Sequence, residues 1–541
     1  MDSSQPINAL VDRLTEIVGV RGLLFDPAEV ELVTRTSIPY RQIPDVVVYP
    51  ESAAQVQKIV TVAQELTIPI WTVSTGKNWG YGTKSAAYPG GITLVLERMK
   101  KIELVEEDLA YAVIEPGVTY RDLNRYLKVH KLALWSDSAG TTESASVIGN
   151  ALDKGRGLTP YADHFGSLCG VEVVLPDASL LRTGNLTETP NQVWNLYKWG
   201  VGPYLDGLFA QSNFGIVVKA GIWLMPKPEA FDFLAFEYTK SPDLFSEMID
   251  DLRRLVFKGV LRSRPHLAND FAMLCIVSQY PKHLLTGGNT LGPDAMAQWR
   301  REHGVSPWTF GCGLYGSRRE VRNQRRTLRK VLGKYGRLWS FGLATRSDWI
   351  GKVAFQSARW GARLTGKSPA FLASIKPAAD LFRGIPTDEF VRQVYFKSHN
   401  EKPPPGTVDP PRDECGFIWI GPVVPFSSRS VEEALERAKL IFRKYDFDFF
   451  VEIIIESPRA LILLFGVFYD KADANETRRA SSWYAEIRTE MIRFGYPPYR
   501  ETAQSSPHVF DDNPATHEFL SSLKRALDPK GIFAPGRYGI R

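Results

Sequence analysis

The sequence predicts an α+β protein of more than one domain, and three observations carry that prediction. Its 541 residues exceed what one hydrophobic core usually serves. The first third alternates short β-rich runs with amphipathic helical stretches, and near Phe231 the pattern changes to longer helices and separate strands.

The elements follow in order. VVVYP at 46–50 is a short β-branched run, SAAQVQKIVTVAQELT at 52–67 has helical spacing, and IPIWTVS at 68–74 is a strand again. ITLVLE, YAVIEPG and GVEVVLP continue the β-rich pattern, with TYRDLNRYLKVH at 119–130 as an amphipathic helix between them. A ligand-binding α+β unit therefore closes near GIVVKAGIWLMPKP at 215–228, and the last residues return to helix and turn, ending in LDPKGIFAPGRYGI. No internal repeat is visible.

Composition narrows the function classes. With 44% hydrophobic and 23% charged residues the chain reads as an ordinary globular enzyme, and its 13 Trp and 21 Tyr suit a protein that stacks on aromatic ligands. A net charge of +6 spread over this length argues against a nucleic-acid partner. Cys169, Cys275, Cys312 and Cys415 are scattered without CxxC spacing, so neither disulfide staples nor a metal site is expected. The opening MDSSQPINALVDRLTEIVG has no basic region followed by an apolar run, and no run of about eighteen apolar residues occurs, so the expected compartment is the cytoplasm.

Three turns carry the binding chemistry. Gly-, Ser- and Thr-rich backbone after a strand can turn several N–H groups toward one anion and cradle a phosphate. Val73–Gly82 has this character, as do Glu115–Thr119 and Ser146–Asn150, with Ala534–Arg537 near the C-terminus. A literal GxGxxG at Gly311–Gly316 competes as a dinucleotide site. No acidic residue follows about twenty positions later, as such a site needs, so it reads as a turn of the second domain.

The stretches TVSTGKNWGYG, EPGVTY, SVIGNALDKGRGLTPYADHF, GVEVVLPD, GPYLDGLFAQSNFGIVVKAGIWLMP, GYPPYR and LDPKGIFAPGR, in this order, resemble the vanillyl-alcohol oxidase and p-cresol methylhydroxylase flavoproteins. That resemblance implies a discontinuous FAD-binding domain over 1–228 and 496–541, with an α+β cap, or substrate, domain over 229–495. It implies FAD held by Ser74, Thr75, Gly76, Lys77, Asn78 and Trp79, and by Pro116, Gly117, Gly140, Ser146, Gly149 and Asn150. Asp153, Gly155, Gly157, Gly215, Ile216, Val217 and Arg537 complete the implied set.

The resemblance also implies a reaction, the oxidation of 4-alkylphenols or 4-hydroxybenzyl alcohols. Tyr81, Tyr499 and Arg500 occupy the positions that hold the substrate's phenol oxygen as a phenolate. The physics agrees: a fixed cation with two hydrogen-bond donors favours the anion of a phenol whose ordinary pKa is about 10. A phenolate pushes electrons toward its para carbon and eases hydride loss there. Covalent flavin attachment is expected at Tyr395, which follows the Gly384-Ile385-Pro386 turn as in the methylhydroxylase subunit, because the strand at Gly416–Pro422 lacks the oxidases' His.

Two departures from the family pattern stand out. Its MHH run is Ala460-Leu461-Ile462-Leu463 here, and its active-site Asp falls on Thr141. Asp137 and Glu143 are the candidates to replace that acid, Glu143 preferred for its closeness to Thr141. Two alternatives stay open: a flavin oxidase of non-phenolic alcohols or hydroxy acids, and a flavin-binding protein with a decayed site.

The expected partners are a small aromatic substrate and a second copy in a homodimer. The basic amphipathic segment 349–376, with Lys352, Arg359, Arg363, Lys367 and Lys376 among Trp and Phe residues, suits a membrane surface or an electron-accepting partner, or a cover for the site.

Overall fold

Runs such as Val46–Val48 and Ile92–Val95, apolar at every position, belong in strands buried on both faces. In the computed structural model, which describes residues 5–187, 191–342, 356, 369–397 and 408–540, they lie at the centre of a four-stranded sheet. Its order is Leu23–Leu24, Val46–Val48, Ile92–Val95, Ile70–Val73, the last three parallel. The helix Ala53–Leu66 makes the crossover, started by the Ser52 hydroxyl, which accepts the Gln55 N–H.

A second, five-stranded antiparallel sheet follows, in the order Ile102–Glu106, Tyr111–Ile114, Ile216–Trp223, Leu168–Val174, Leu180–Arg182. Val56, Ile59 and Val60 of the crossover helix share one core with Val46 and Leu94 of the first sheet and with Val174, Ile216 and Val218 of the second.

The chain's end returns to this core. Ile70 N–H donates to Ile532 O at 2.7 Å and Ala534 N–H to Ile70 O at 2.8 Å, so residues near 533 extend the first sheet beyond its edge strand. The turn before them is built on a buried ion pair, Lys524 Nζ to Asp528 Oδ2 at 2.7 Å. Asp528 also accepts the N–H groups of Ile532 (3.1 Å) and Phe533 (2.8 Å). Burial lowers the pKa of the Lys524 ammonium and the Asp528 carboxylate opposes that.

The third sheet is antiparallel throughout and positions one wall of the site. Its order is Gly336–Ser340, Ala230–Tyr238, Trp308–Gly316, His266–Asn269, Phe450–Ile455, Ala460–Asp470, Cys415–Ile420, with Val423–Pro425 beside Ala460–Asp470. Alternation sorts its side chains by face. Leu234, Phe236, Val451 and Ile453 join a core with the helices Phe245–Phe257, Ser428–Lys444 and Ala474–Arg493. Phe233, Ala235, Ala268 and Phe450 face the other way, toward the helix Asp270–Val277 and a cavity.

The GxGxxG run corrects one expectation. It is the interior of the strand Trp308–Gly316, with Phe310, Cys312 and Leu314 buried on one face. A Cβ on Gly311 would stand 2.6 Å from Phe233 Cζ, so the glycine makes room for a ring crossing from the neighbouring strand. Of the basic segment 349–376, Lys352, Arg359, Arg363 and Lys367 lie outside the described residues. Lys376, within the helix Pro369–Leu381, is paired with Asp380 at 2.5 Å. Among the described residues no helix is long and apolar enough to cross a membrane.

Asp528→Ala should leave Lys524 buried and unpaired and cost about 3–5 kcal/mol, the usual penalty for breaking a buried ion pair. Urea denaturation followed by tryptophan fluorescence measures it; an unchanged midpoint would show that the C-terminal return does not depend on this pair.

Candidate functional site

A cavity of about 450 Å³ lies between the two smaller sheets and one face of the third. On the first side, backbone dominates. Val73–Trp79, Gly149, Asn150 and Gly215–Val217 line it. The Ser146 hydroxyl accepts Gly149 N–H at 2.9 Å and donates to Pro116 O at 2.6 Å, while Thr75 Oγ1 accepts Ser146 N–H at 3.2 Å. The N–H groups of Thr75, Gly76, Lys77 and Asn78 have no acceptor among the described residues, so a run of donors faces one space. Ser146 caps the helix Val147–Leu152, and a Cβ on Gly149 would stand 2.6 Å from Ser74 Oγ, so this first helical turn packs on Ser74 only with glycine.

At one end three side chains converge. Tyr81 Oη and Tyr499 Oη are 3.5 Å apart, and the Arg500 guanidinium sits 5.1 Å from each ring centre. Arg500 is buried and held by acceptors: its Nε and Nη2 donate to Asp153 O at 3.0 and 2.8 Å, its Nη1 to Asn78 Oδ1 at 3.2 Å, and its Nε stands 3.2 Å from Asp153 Oδ2. Burial works against the Arg500 charge, but Asp153 and the phenols of Tyr499, Tyr81 and Tyr538 outweigh it, and the guanidinium's pKa is raised. Burial raises the Tyr81 phenol well above its ordinary range, aided by Tyr499 and opposed by Arg500, so it remains an O–H donor.

The facing sheet presents a mostly apolar floor of Phe233, Ala235, Ala268, Phe450 and Trp419. Three polar groups interrupt it, His266, Glu452 and Thr309. Strand register makes Leu464, Glu452, Ala268 and Thr309 neighbours across four strands. His266 Nδ1 lies 3.2 Å from Glu452 Oε2, while its buried Nε2 has no partner among the described residues. A carboxylate oxygen only accepts, so the His266 nitrogen facing Glu452 is the donor of this hydrogen bond.

The comparisons fit this architecture. A family model described as "FAD binding domain" matches residues 44–184. The chain is 33% identical to the 1'-carboxy-chondrochloren decarboxylase of Chondromyces crocatus, over 100% of this chain and 98% of that one. It is 29% identical to the 4-cresol dehydrogenase [hydroxylating] flavoprotein subunit of Pseudomonas putida, over 98% of this chain and 95% of that one. The solved structure of 4-ethylphenol oxidase from Gulosibacter chungangensis superposes with a TM-score of 0.88 at 26% identity, covering 99% and 98% of the two chains. The chain belongs to the vanillyl-alcohol oxidase and p-cresol methylhydroxylase family. It is a flavoprotein of the oxidoreductase type and its cofactor is FAD. The unpaired N–H groups at Thr75–Asn78 and the glycine-tight turn at Gly149 fit an anionic, phosphate-bearing group.

Most of the residues that the family resemblance marks for FAD line the cavity: Ser74–Trp79, Gly140, Ser146, Gly149, Asn150, Asp153, Gly155, Gly215–Val217 and Arg537. Arg537 Nη1 donates to Thr72 O at 3.0 Å. Asn78 and Asp153, though on the wall, spend their side chains on Arg500. Pro116, Gly117 and Gly157 are off the wall. Pro116 holds Ser146 from behind, and a Cβ on Gly117 would stand 2.5 Å from Met99 O. At Gly157 a Cβ would overlap the Asp137–His164 pair.

Three further expectations need correction in this flavoprotein. Glu143 does not reach the cavity, because its carboxylate is ion-paired with Arg121. Asp137 is also committed, its Oδ2 to His164 Nε2 at 2.8 Å and its Oδ1 to Thr159 N–H at 3.0 Å. Thr141 does line the cavity, and neither Glu143 nor Asp137 joins it there. Tyr395 is fully buried off the cavity wall and its hydroxyl donates to Asp413 Oδ2 at 2.6 Å; the same short helix, Phe390–Tyr395, turns Phe390 and Gln393 to the cavity instead. Its oxygen is therefore occupied by Asp413 and not directed at a group in the cavity. Sequence reasoning missed Glu452, His266 and Tyr538, because only strand register and the C-terminal return bring them to the wall.

Gly149→Val should yield a folded but colourless protein, since the added side chain collides with Ser74. Flavin absorbance per protein after purification checks this; full flavin content would mean that the turn is not the cradle.

Proposed function

We propose that this flavoprotein oxidises the benzylic carbon of para-substituted phenols, with the phenol oxygen held between Tyr81, Tyr499 and Arg500. The single observation that carries the reading is the convergence of those three side chains at one end of the FAD cavity. FAD, when bound, supplies the hydride acceptor. Tyr81 and Tyr499 donate hydrogen bonds to the phenol oxygen while Arg500 supplies fixed positive charge, and together they favour the phenolate. The phenolate's electrons move toward the para carbon as hydride leaves it, giving a quinone methide. In this reading the two smaller sheets with the C-terminal return form the FAD-binding unit and the eight-stranded sheet is the cap.

Glu452 takes the part of the acid missing at Thr141. Besides Asp153 and Glu501, it is the remaining carboxylate on the wall, and those two serve Arg500 and Arg488. His266 donates one hydrogen bond to it, which keeps it a hydrogen-bonded carboxylate able to take a proton from water adding to the quinone methide.

A second reading is supported by the decarboxylase among the relatives and by the apolar floor. A para side chain bearing a carboxylate two carbons from the ring could lose carbon dioxide from the quinone methide. The electrons of the broken C–C bond then form the alkene and restore the phenolate. The relative that is named a flavoprotein subunit supports an electron-accepting partner for this chain too.

Arg500→Ala should slow anaerobic flavin reduction by 4-alkylphenols on the order of 10²-fold. The 4-methoxy analogues, which cannot ionise, should not reduce the flavin at all. Equal rates with hydroxy and methoxy compounds would favour oxidation of non-phenolic alcohols instead.

Product analysis separates the two fates. With 4-ethylphenol the wild type should give alcohol, and Glu452→Gln should shift the products toward 4-vinylphenol. Vinyl product from 3-(4-hydroxyphenyl)propanoate with carbon dioxide released would establish the decarboxylating reading. A product ratio that ignores the Glu452 substitution would remove Glu452 from the reaction.

A further inference from the structure

Tyr538 is a cavity residue that the proposed chemistry leaves unused. It belongs to the C-terminal turn Arg537–Gly539 and lines the cavity in a left-handed backbone conformation, φ 50° and ψ 41°. A non-glycine residue is held in that region only where its surroundings fix it, and such residues gather at functional sites. Two bonds fix this one. Its N–H donates to Ser506 Oγ at 2.6 Å and its hydroxyl donates to Asp153 Oδ1 at 2.9 Å.

Asp153 links it to the phenol end. The other carboxylate oxygen, Oδ2, accepts Asn78 Nδ2–H at 2.9 Å and stands 3.2 Å from Arg500 Nε. One carboxylate thus has two effects that oppose each other: it anchors a buried guanidinium, and it cancels the charge a bound phenol would feel. Neutral donors on its two oxygens disperse the negative charge, so the anchor survives with less cancellation.

We propose that Tyr538 is a positioning residue of the phenolate site, its hydroxyl holding Asp153 so that the charge of Arg500 acts on the phenol oxygen between Tyr81 and Tyr499. The proposal rests on the phenol reading above. It adds a contribution from the C-terminal turn, separate from the three side chains that meet the phenol. Burial, reinforced by the charge of Asp153 and opposed by Arg500, raises the Tyr538 phenol well above its ordinary range, so it stays a donor.

Bound 4-nitrophenol tests this in the holoenzyme, because it has no benzylic hydrogen and its ionisation is visible in the absorbance difference spectrum. The wild type should bind it as the phenolate at pH values below its ionisation in solution. Tyr538→Phe, with flavin content unchanged, should raise the bound probe's apparent pKa by roughly one unit, the scale of one charge-assisted hydrogen bond. Site-specific 3-fluorotyrosine in place of Tyr538, a stronger donor of nearly the same shape, should move it the other way, and this comparison decides if the Phe variant fails to fold. A bound pKa that is the same with tyrosine, fluorotyrosine and phenylalanine would overturn the proposal and leave Tyr538 a packing residue. If the wild type never ionises the probe and Arg500→Ala binds it equally well, the phenol reading falls, and the role of Tyr538 falls with it.

Discussion

A buried guanidinium must be surrounded by acceptors, and meeting that demand at Arg500 organises the rest of the site. Its acceptors come from Asn78 and Asp153, far apart in sequence, and Tyr538 bonds the same Asp153 from near the chain's end. Asn78 follows the strand Ile70–Val73, Asp153 ends the helix Val147–Leu152 between the smaller sheets' strands, and Tyr538 belongs to the C-terminal return. The sheets must therefore be correctly placed before the charge is tolerable, and once placed they leave it little freedom. An unpaired charge at this depth would cost several kcal/mol. The constraint that fixes these segments is the same one that leaves a cation at one end of the cavity.

The two walls of the cavity divide the work by composition. The FAD-binding wall is backbone and glycine, suited to anionic groups through N–H donors, whereas the sheet floor is aromatic and aliphatic with one carboxylate. A planar aromatic compound is matched by such a floor through dispersion and exclusion of water. Glu452 stands where the apolar surface is interrupted, beside the His266 imidazole. That arrangement concentrates the floor's capacity to handle a proton at one place.

Much of this was legible in the sequence, for physical reasons. Strands 46–48 and 92–95 announce themselves because burial on both faces demands apolar residues at every position. The segments 74–79 and 146–150 announce themselves because close backbone approach demands glycine, although the second is the capped start of the helix Val147–Leu152 and not the turn expected. Tyr81, Tyr499 and Arg500 were legible through the family resemblance, which marks their positions, and the structure brings them together at one end of the cavity. Glu143 was misjudged because nearness in sequence says nothing about Arg121, which claims it from an adjacent helix. Glu452 and His266 were missed because their adjacency depends on the register between His266–Asn269 and Phe450–Ile455, strands separated by some 180 residues. The GxGxxG motif misled as to local structure, since glycines that accommodate a ring inside a strand look the same as glycines that form a turn.

The C-terminal return has a consequence for the order of events during synthesis. Residues 532–534 complete the edge of the first sheet, and Tyr538 completes the charge network inside the cavity. Translation makes the phosphate-cradling segments at 74–79 and 146–150 well before these residues. While the ribosome still covers residues 532–538, the nascent chain carries a cradle with an open edge and an Asp153 that lacks its Tyr538 donor. Cofactor capture that survives must therefore wait until residues 532–538 have emerged, which makes their arrival, not emergence of the nucleotide-binding unit, the step after which the holoenzyme can mature.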